Sequence, residues 1–167
     1  MELETERLRL SPVSMDDVDA LHALWTDAGV RRFLWDDLII DRETAHEVVQ
    51  ATLEDWGDYG VGLFAIQLLG EEEIIGFCGV RRFPPDEEWE LLYGLLPAYW
   101  GNGLAVEASA ASLRFAFSRL PVDRIAGRTD GPNKASIRVL QKLGMRAVSE
   151  DGQVCYAMDR ASVSSAD

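Results

Sequence analysis

Residues 5–13 alternate Leu8, Leu10 and Val13 with polar positions, the period of a half-buried strand. Pro12 has no N–H for a ladder, which predicts an edge strand. The period then changes. Ser14 precedes Asp16 and Asp17, an N-cap followed by acids in a first helical turn. Val18, Leu21, Leu24 and Trp25 line one face of that helix, which the spacing ends near Gly29. Asp41 opens a second helix. Its apolar face carries Ala45, Val48, Val49, Thr52, Leu53 and Trp56, with Gly57 just past its end.

Three strands are predicted next, at residues 62–69, 74–82 and 88–96. The stretch 70–72 and the Pro84-Pro85-Asp86 run read as turns between them. Such close spacing implies an antiparallel meander. Residues 104–120 return to a helical period, with Leu104, Ala108, Ala111 and Phe115 on one face. A strand at 124–129 and a helix at 133–143 follow. The helix turns Ile137, Leu140 and Leu143 inward and closes on Gly144. Residues 145–149 and 153–160 form a hairpin around Glu150-Asp151-Gly152, and a polar tail from 161 reads as frayed. The order is β α α β β β α β α β β, a mixed α/β class with helices covering both faces of one sheet. With no repeat or linker, residues 1–167 read as one domain.

Composition narrows this reading. The chain has 167 residues, 47% apolar and 27% charged, which suits one soluble domain. No apolar run reaches the about 20 residues of a membrane span. The opening MELETERLRL lacks the continuous apolar core of a signal peptide. Cys78 and Cys155 give neither metal spacing nor a disulfide framework, which points to a reducing cytoplasm. The net charge of −13 argues against nucleic acid as a partner. It would steer a cationic substrate inward, or it is a solvated acidic surface. His22 and His46 fall in the two early helices and read as structural or solvated.

The stretch LLPAYWGNGLAVEA at 95–108 is the most informative. A strand ends, a loop with Gly101 and Gly103 follows, and a helix begins at once. Glycines let a ligand approach the backbone, and the first N–H groups of a helix have no internal partner. Together these suit a pyrophosphate. The Lys-Ser/Thr pair of the nucleotide P-loop and the third glycine of the dinucleotide fingerprint are both missing. A tight turn is the other reading of this segment alone.

This strand, glycine loop and helix precede a further strand, then Asn-Lys-Ala-Ser at 133–136 heading a helix that closes with Lys-Leu-Gly-Met at 142–145. In that order the motifs resemble the GNAT superfamily of acyl-CoA-dependent N-acyltransferases. TERLRLSPVSMDDVDAL at 5–21 and YWGNGLAVEA at 99–108 look like its ribosomal-protein N-terminal acetyltransferase (RimJ/RimL-like) branch. The resemblance implies the GNAT fold: a mixed, mostly antiparallel sheet of about six to seven strands, splayed at a central parallel pair and flanked by about four helices. It implies acetyl-CoA as cosubstrate and no metal.

Residue by residue, the resemblance allots the acyl-CoA loop to Gly101, Asn102, Gly103, Leu104 and Ala105. Trp100 departs from the Arg or Gln usual at the loop's first position and reads as a core or edge aromatic. The pantetheine arm would pair with the backbone of Leu95, with Gly94 as a bulge and residues 124–129 as the splayed neighbour. Asn133 would hydrogen-bond the pantetheine or thioester region, cap its helix, or do both. Ser136 matches a hydroxyl near the CoA sulfur; a helical Ser is also commonly solvated or back-bonded.

Acyl transfer needs a neutral amine, close positioning, an oxyanion donor and a proton for the thiolate. Glu90 is the candidate base, and alternation puts it on one face with Glu88, Leu92 and Gly94. An exposed strand carboxylate is the other reading. Tyr93 is a rival acid on the opposite face. The resemblance implies that the acceptor, a primary amine of a peptide N-terminus or of a small molecule, would sit between the first two helices, the loop 29–40 and the final hairpin. There Trp25, Phe33, Trp35 and Trp56 either line a groove or fill the core. Asp36, Asp37 and Asp41 either attract the amine or are solvated. The hairpin is shorter than is common in the branch, which leaves the acceptor side open. A homodimer through the last strands is also compatible, as is a non-catalytic acyl-CoA sensor.

Overall fold

The computed structural model describes residues 1–83, 87–129, 131–150 and 153–164. Its strands are β1 (Leu3–Glu4), β2 (Leu8–Pro12), β3 (Leu63–Leu68), β4 (Gly76–Phe83), β5 (Glu88–Leu95), β6 (Arg124–Thr129), β7 (Arg146–Glu150) and β8 (Gln153–Asp159). They form one eight-stranded sheet in the order β1-β2-β3-β4-β5-β6-β8-β7. All neighbours run antiparallel except β5 and β6, which meet in parallel at the single pair Glu90↔Ala126. The expected splay is therefore present. The sheet has more strands than expected because the two-residue β1 closes the edge beyond β2. The edge therefore lies one strand beyond β2, although β1 reaches only Arg9 and Leu10 and leaves Pro12 paired on one side, with Phe64.

The helices are α1 (Val18–Thr26), α2 (Ala28–Leu34), α3 (Arg42–Tyr59), α4 (Leu104–Arg119), α5 (Lys134–Lys142) and α6 (Arg160–Ser164). Two were not expected. Gly29 does not end the first helix: Asp27 Oδ1 accepts the N–H of Gly29 at 2.9 Å and of Val30 at 3.3 Å, and so starts α2. Gly57 lies within α3, which runs on to Gly60 in the left-handed region at φ 69. At the other end Arg160 reaches the carbonyls left open at the end of α4 and just beyond it. It bonds Val122 O at 2.9 Å and Phe117 O at 2.8 Å, and also Leu120 O. From that anchor residues 161–164, where the polar composition predicted fraying, continue as α6; residues 165–167 lie outside the described residues, as do the turns expected at 84–86 and 151–152.

Two apolar layers sandwich the sheet. On one face Val18, Leu21, Leu24 and Trp25 of α1, Val30 of α2 and Ala45 and Val49 of α3 pack on Leu63, Ala65 and Phe77. On the other, α4 covers Leu8, Leu10, Phe64, Ile66, Cys78 and Leu95, and α5 joins it over Trp89, Leu91, Ile125, Tyr156 and Met158. Alternation along β5 thus sends Leu92 to the α1–α3 side and Trp89, Leu91 and Leu95 to the α4–α5 side. Burying each large apolar side chain is worth about 1.5–3 kcal/mol. This two-sided burial sets the register of β5, and with it the placement of every polar residue on that strand.

Candidate acyl-CoA site

The site is built where β5 ends. Leu96 N–H donates to Ile75 O at 2.9 Å, so even-numbered residues of β5 turn their backbone groups to β4. Odd-numbered ones face β6. Past the Glu90↔Ala126 pair, Tyr93 and Leu95 therefore present backbone groups to the gap. The register from Gly76↔Leu95 to Phe83↔Glu88 is unbroken, with Phe77 opposite Gly94. The bulge expected at Gly94 is absent, because the splay comes from β6 leaving rather than from β5 kinking.

A single turn, Pro97–Tyr99, then leads into the glycine loop. Gly101 and Gly103 have φ of 79 and 78, a conformation that glycine adopts without strain. Gly103 is the N-cap of α4 and offers no side chain. The first helical bond there is Glu107 N–H to Gly103 O at 3.1 Å, which leaves the N–H groups of Leu104, Ala105 and Val106 without helical acceptors. By contrast Asp27, Asp41 and Asn133 fill this role for α2, α3 and α5. A β-carbon on Gly101 would meet nothing within 4 Å. This uncapped, exposed, glycine-lined terminus fits a pyrophosphate, and the loop residues Gly101, Asn102, Gly103, Leu104 and Ala105 form it together.

Two residues complete the loop. Arg7 Nη1 donates to Asn102 O at 2.8 Å, and Arg7 Nε to Glu107 Oε2 at 3.2 Å. No local pattern signals this contact, since it joins segments 95 residues apart. Trp100 is 52% exposed and so is no core residue. Its indole N–H donates to Leu95 O at 2.7 Å. Part of the backbone that the resemblance allots to pantetheine, the Leu95 carbonyl, is thus engaged by the loop's own tryptophan.

Across the gap, Asn133 Oδ1 caps α5 by accepting Ser136 N–H at 3.1 Å. Ser136 Oγ lies 2.5 Å from the Tyr93 hydroxyl oxygen. Burial pushes the Tyr93 phenol up to about 12, against the pull of the Ser136 hydrogen bond. Tyr93 and Ser136 are thus brought together, with Asn133 at the head of the same helix. Glu90 is not with them. Its carboxylate receives Arg128 Nη1 at 3.1 Å, and Arg128 Nη2 binds Glu88 at 2.8 Å. Burial alone would raise the Glu88 carboxyl; hydrogen bonds and charge from Arg128 and Arg124 outweigh it and hold the group below its ordinary range.

On the expected acceptor side, several residues turn out to be structural. Trp25 is buried against Trp35 and Phe77, with ring centroids 6.1 and 5.7 Å away. Trp56 packs on Phe64 and Phe115 and donates to Leu63 O at 3.1 Å. The Phe33 side chain lies outside the described residues. Asp37 pairs with Arg31 at 3.1 Å, and Asp41 accepts Thr44 N–H at 2.8 Å. Asp36 is exposed. His22 is tied to Ile40 O at 2.8 Å.

A family model described as an acetyltransferase (GNAT) domain matches residues 7–146. The chain belongs to the GNAT acetyltransferases. GNAT relatives include the uncharacterised N-acetyltransferase p20 of Bacillus licheniformis, 28% identical over 86% of this chain and 82% of its own length. The uncharacterised YkkB of Bacillus subtilis is 31% identical over 86% of this chain and 84% of its own. Among solved structures, an acetyltransferase from Agrobacterium tumefaciens superposes with TM-score 0.84 and 25% identity, covering 96% and 95% of the two chains. The ribosomal-protein α-N-acetyltransferase RimL, solved with coenzyme A, shares the GNAT fold at TM-score 0.79 and 18% identity, over 97% and 99%. Acetyl-CoA is the cosubstrate of the GNAT family, and this chain is an N-acetyltransferase of that family. No helix among the described residues is long and apolar enough to cross a membrane.

Proposed function

We propose that the protein moves an acetyl group from acetyl-CoA to a primary amine, with a protein N-terminal α-amine as the acceptor. The observation that carries the cosubstrate half is the uncapped start of α4 beside the one-pair junction of β5 and β6. Bound there, acetyl-CoA supplies an activated thioester acyl group. The N–H groups of residues 101–105 hold its pyrophosphate. Backbone groups of Leu95 and the Asn133 amide orient its arm, and Ser136 faces its sulfur.

An α-amino group titrates at about 7.7–8.0, against about 10.4 for a lysine amine. A neutral fraction therefore exists near pH 7, and the demand on a base is small. Glu90, paired with Arg128 at 3.1 Å, accepts a hydrogen bond from the incoming nitrogen or from a water between them. RimL, a neighbour of the same fold, is described as a protein α-N-acetyltransferase.

A small amine is the second reading. The exposed Asp36 and the last hairpin pair, Glu150↔Gln153, which allows only two residues between its strands, favour an acceptor side open to small cations.

Calorimetry with acetyl-CoA, followed by thiol release over a panel of peptides and small amines, tests both. Release with peptides alone supports the first acceptor, and release with small amines alone replaces it. Binding without release on any amine, with the binding unchanged in Glu90→Gln, would make the domain an acyl-CoA sensor. Absence of binding would reduce residues 101–105 to a turn.

A further inference from the structure

Tyr93 on β5 and Ser136 on α5 meet across the gap. The phenol oxygen lies 2.5 Å from Ser136 Oγ and 3.1 Å from Ser136 O. Three oxygens here share two hydroxyl protons, and two arrangements satisfy them. In one, Tyr93 donates to the Ser136 carbonyl while Ser136 Oγ–H donates back to the phenol, so both protons are consumed within the pair. In the other, Tyr93 donates to Ser136 Oγ, and the serine proton is left to point outward. One lone pair of the Ser136 carbonyl is already used in the helical ladder of α5, whereas both lone pairs of Oγ are open, so Oγ is the acceptor with more spare capacity.

We propose that Tyr93 is a positioning residue. Its O–H donates to Ser136 Oγ and turns the serine proton toward the sulfur of coenzyme A in the gap. This rests on the acyl-CoA reading of the site given above. Tyr93 acts only through Ser136 and touches no reacting atom.

The strength of the phenol as an acid decides what the pair delivers. Burial carries Tyr93 up to about 12, whereas an ordinary thiol titrates near about 8.5. Tyr93 and Ser136 therefore keep their protons and give the sulfur a hydrogen bond. In the transfer the new C–N bond forms and the C–S bond breaks, with its electron pair staying on sulfur. The surplus proton of the amine leaves to water. A hydrogen bond to a charged sulfur exceeds one to a neutral thiol, so the pair favours departure.

The test compares coenzyme A with desulfo-coenzyme A by calorimetry, at about pH 7 and about pH 9, either side of the ordinary thiol value. In the wild type the preference for coenzyme A grows about tenfold between the two pH values, as expected for one hydrogen bond to a charged group. Tyr93→Phe and Ser136→Ala each abolish that growth, the double variant matches Ser136→Ala, and Ser136→Thr retains it. Desulfo-coenzyme A binds all of them alike. In turnover, Tyr93→Phe lowers kcat about tenfold with little change in KM for acetyl-CoA.

Wild-type growth in Tyr93→Phe, or no growth in the wild type, would overturn the proposal while leaving the acyl-CoA site standing. Failure of both compounds to bind the wild type would instead remove the site, and the proposal with it. Should Tyr93→Phe fold poorly, the pair of Ser136→Ala and Ser136→Thr carries the same test, because Ser136 sits at a partly exposed helix position.

Discussion

Arg128 of β6 grips Glu90 at 3.1 Å and Glu88 at 2.8 Å, so one guanidinium ties the two strands together beside their single parallel pair, Glu90↔Ala126. Arg128→Met removes that tie and leaves two half-buried carboxylates side by side. The expected loss is about 2 kcal/mol, read from urea unfolding. No change would mean that the β5–β6 junction is held by packing alone.

The same cluster sets an acid dependence. The Glu88 carboxyl titrates below its ordinary 4.5 in the folded state. Its contribution is therefore fully present above that value and is lost as pH falls through the lowered one. A plot of Tm against pH should fall more gently on its acid side in Glu88→Gln than in the wild type. Parallel curves would assign acid unfolding to other carboxylates.

Gly103 has φ 78 at the start of α4. Gly103→Val places a β-branched residue in the left-handed region and a side chain over the exposed N–H groups. Acetyl-CoA affinity should fall at least about tenfold, alongside a stability loss of about 1–2 kcal/mol. An unchanged Kd in calorimetry would sink the assignment of the loop.

Trp100 donates its indole N–H to Leu95 O at 2.7 Å and so staples the loop to the end of β5. Trp100→Phe keeps the ring and deletes the donor. One such bond is worth about 1 kcal/mol, which predicts about fivefold weaker acetyl-CoA binding with Tm nearly unchanged. Tighter binding in the variant would show that the indole instead blocks a carbonyl the ligand needs.

Gly79 has φ 154, and a β-carbon there would lie 2.2 Å from Gly62 O, a backbone atom that cannot rotate away. Gly79→Ala should cost at least about 3 kcal/mol, since β4 and β3 must part to admit it. Near wild-type stability by calorimetric melting would show that the two strands have more freedom than their register implies.

Local chemistry alone determined most of the elements. Asp41 and Asn133 cap the helices they were expected to cap, and β6 covers the predicted residues 124–129. The glycine loop was legible because positive φ and an uncapped helix start are properties of a few neighbouring residues. α2 was missed because Gly29 reads as a stop, while the Asp27 cap that overrides it is a short-range competition between two signals. The two-residue β1 carries too little pattern to be seen.

The partners of the site residues were decided only by the tertiary structure. Alternation put Glu90 and Tyr93 on opposite faces of one strand, but it could not say that Arg128 would claim the first and Ser136 the second. Nor could it bring Arg7 to Asn102. Periodicity fixes which way a side chain points. Which group it meets depends on how the sheet orders its strands and where the helices cross them, and that order follows from burying both faces of the sheet at once.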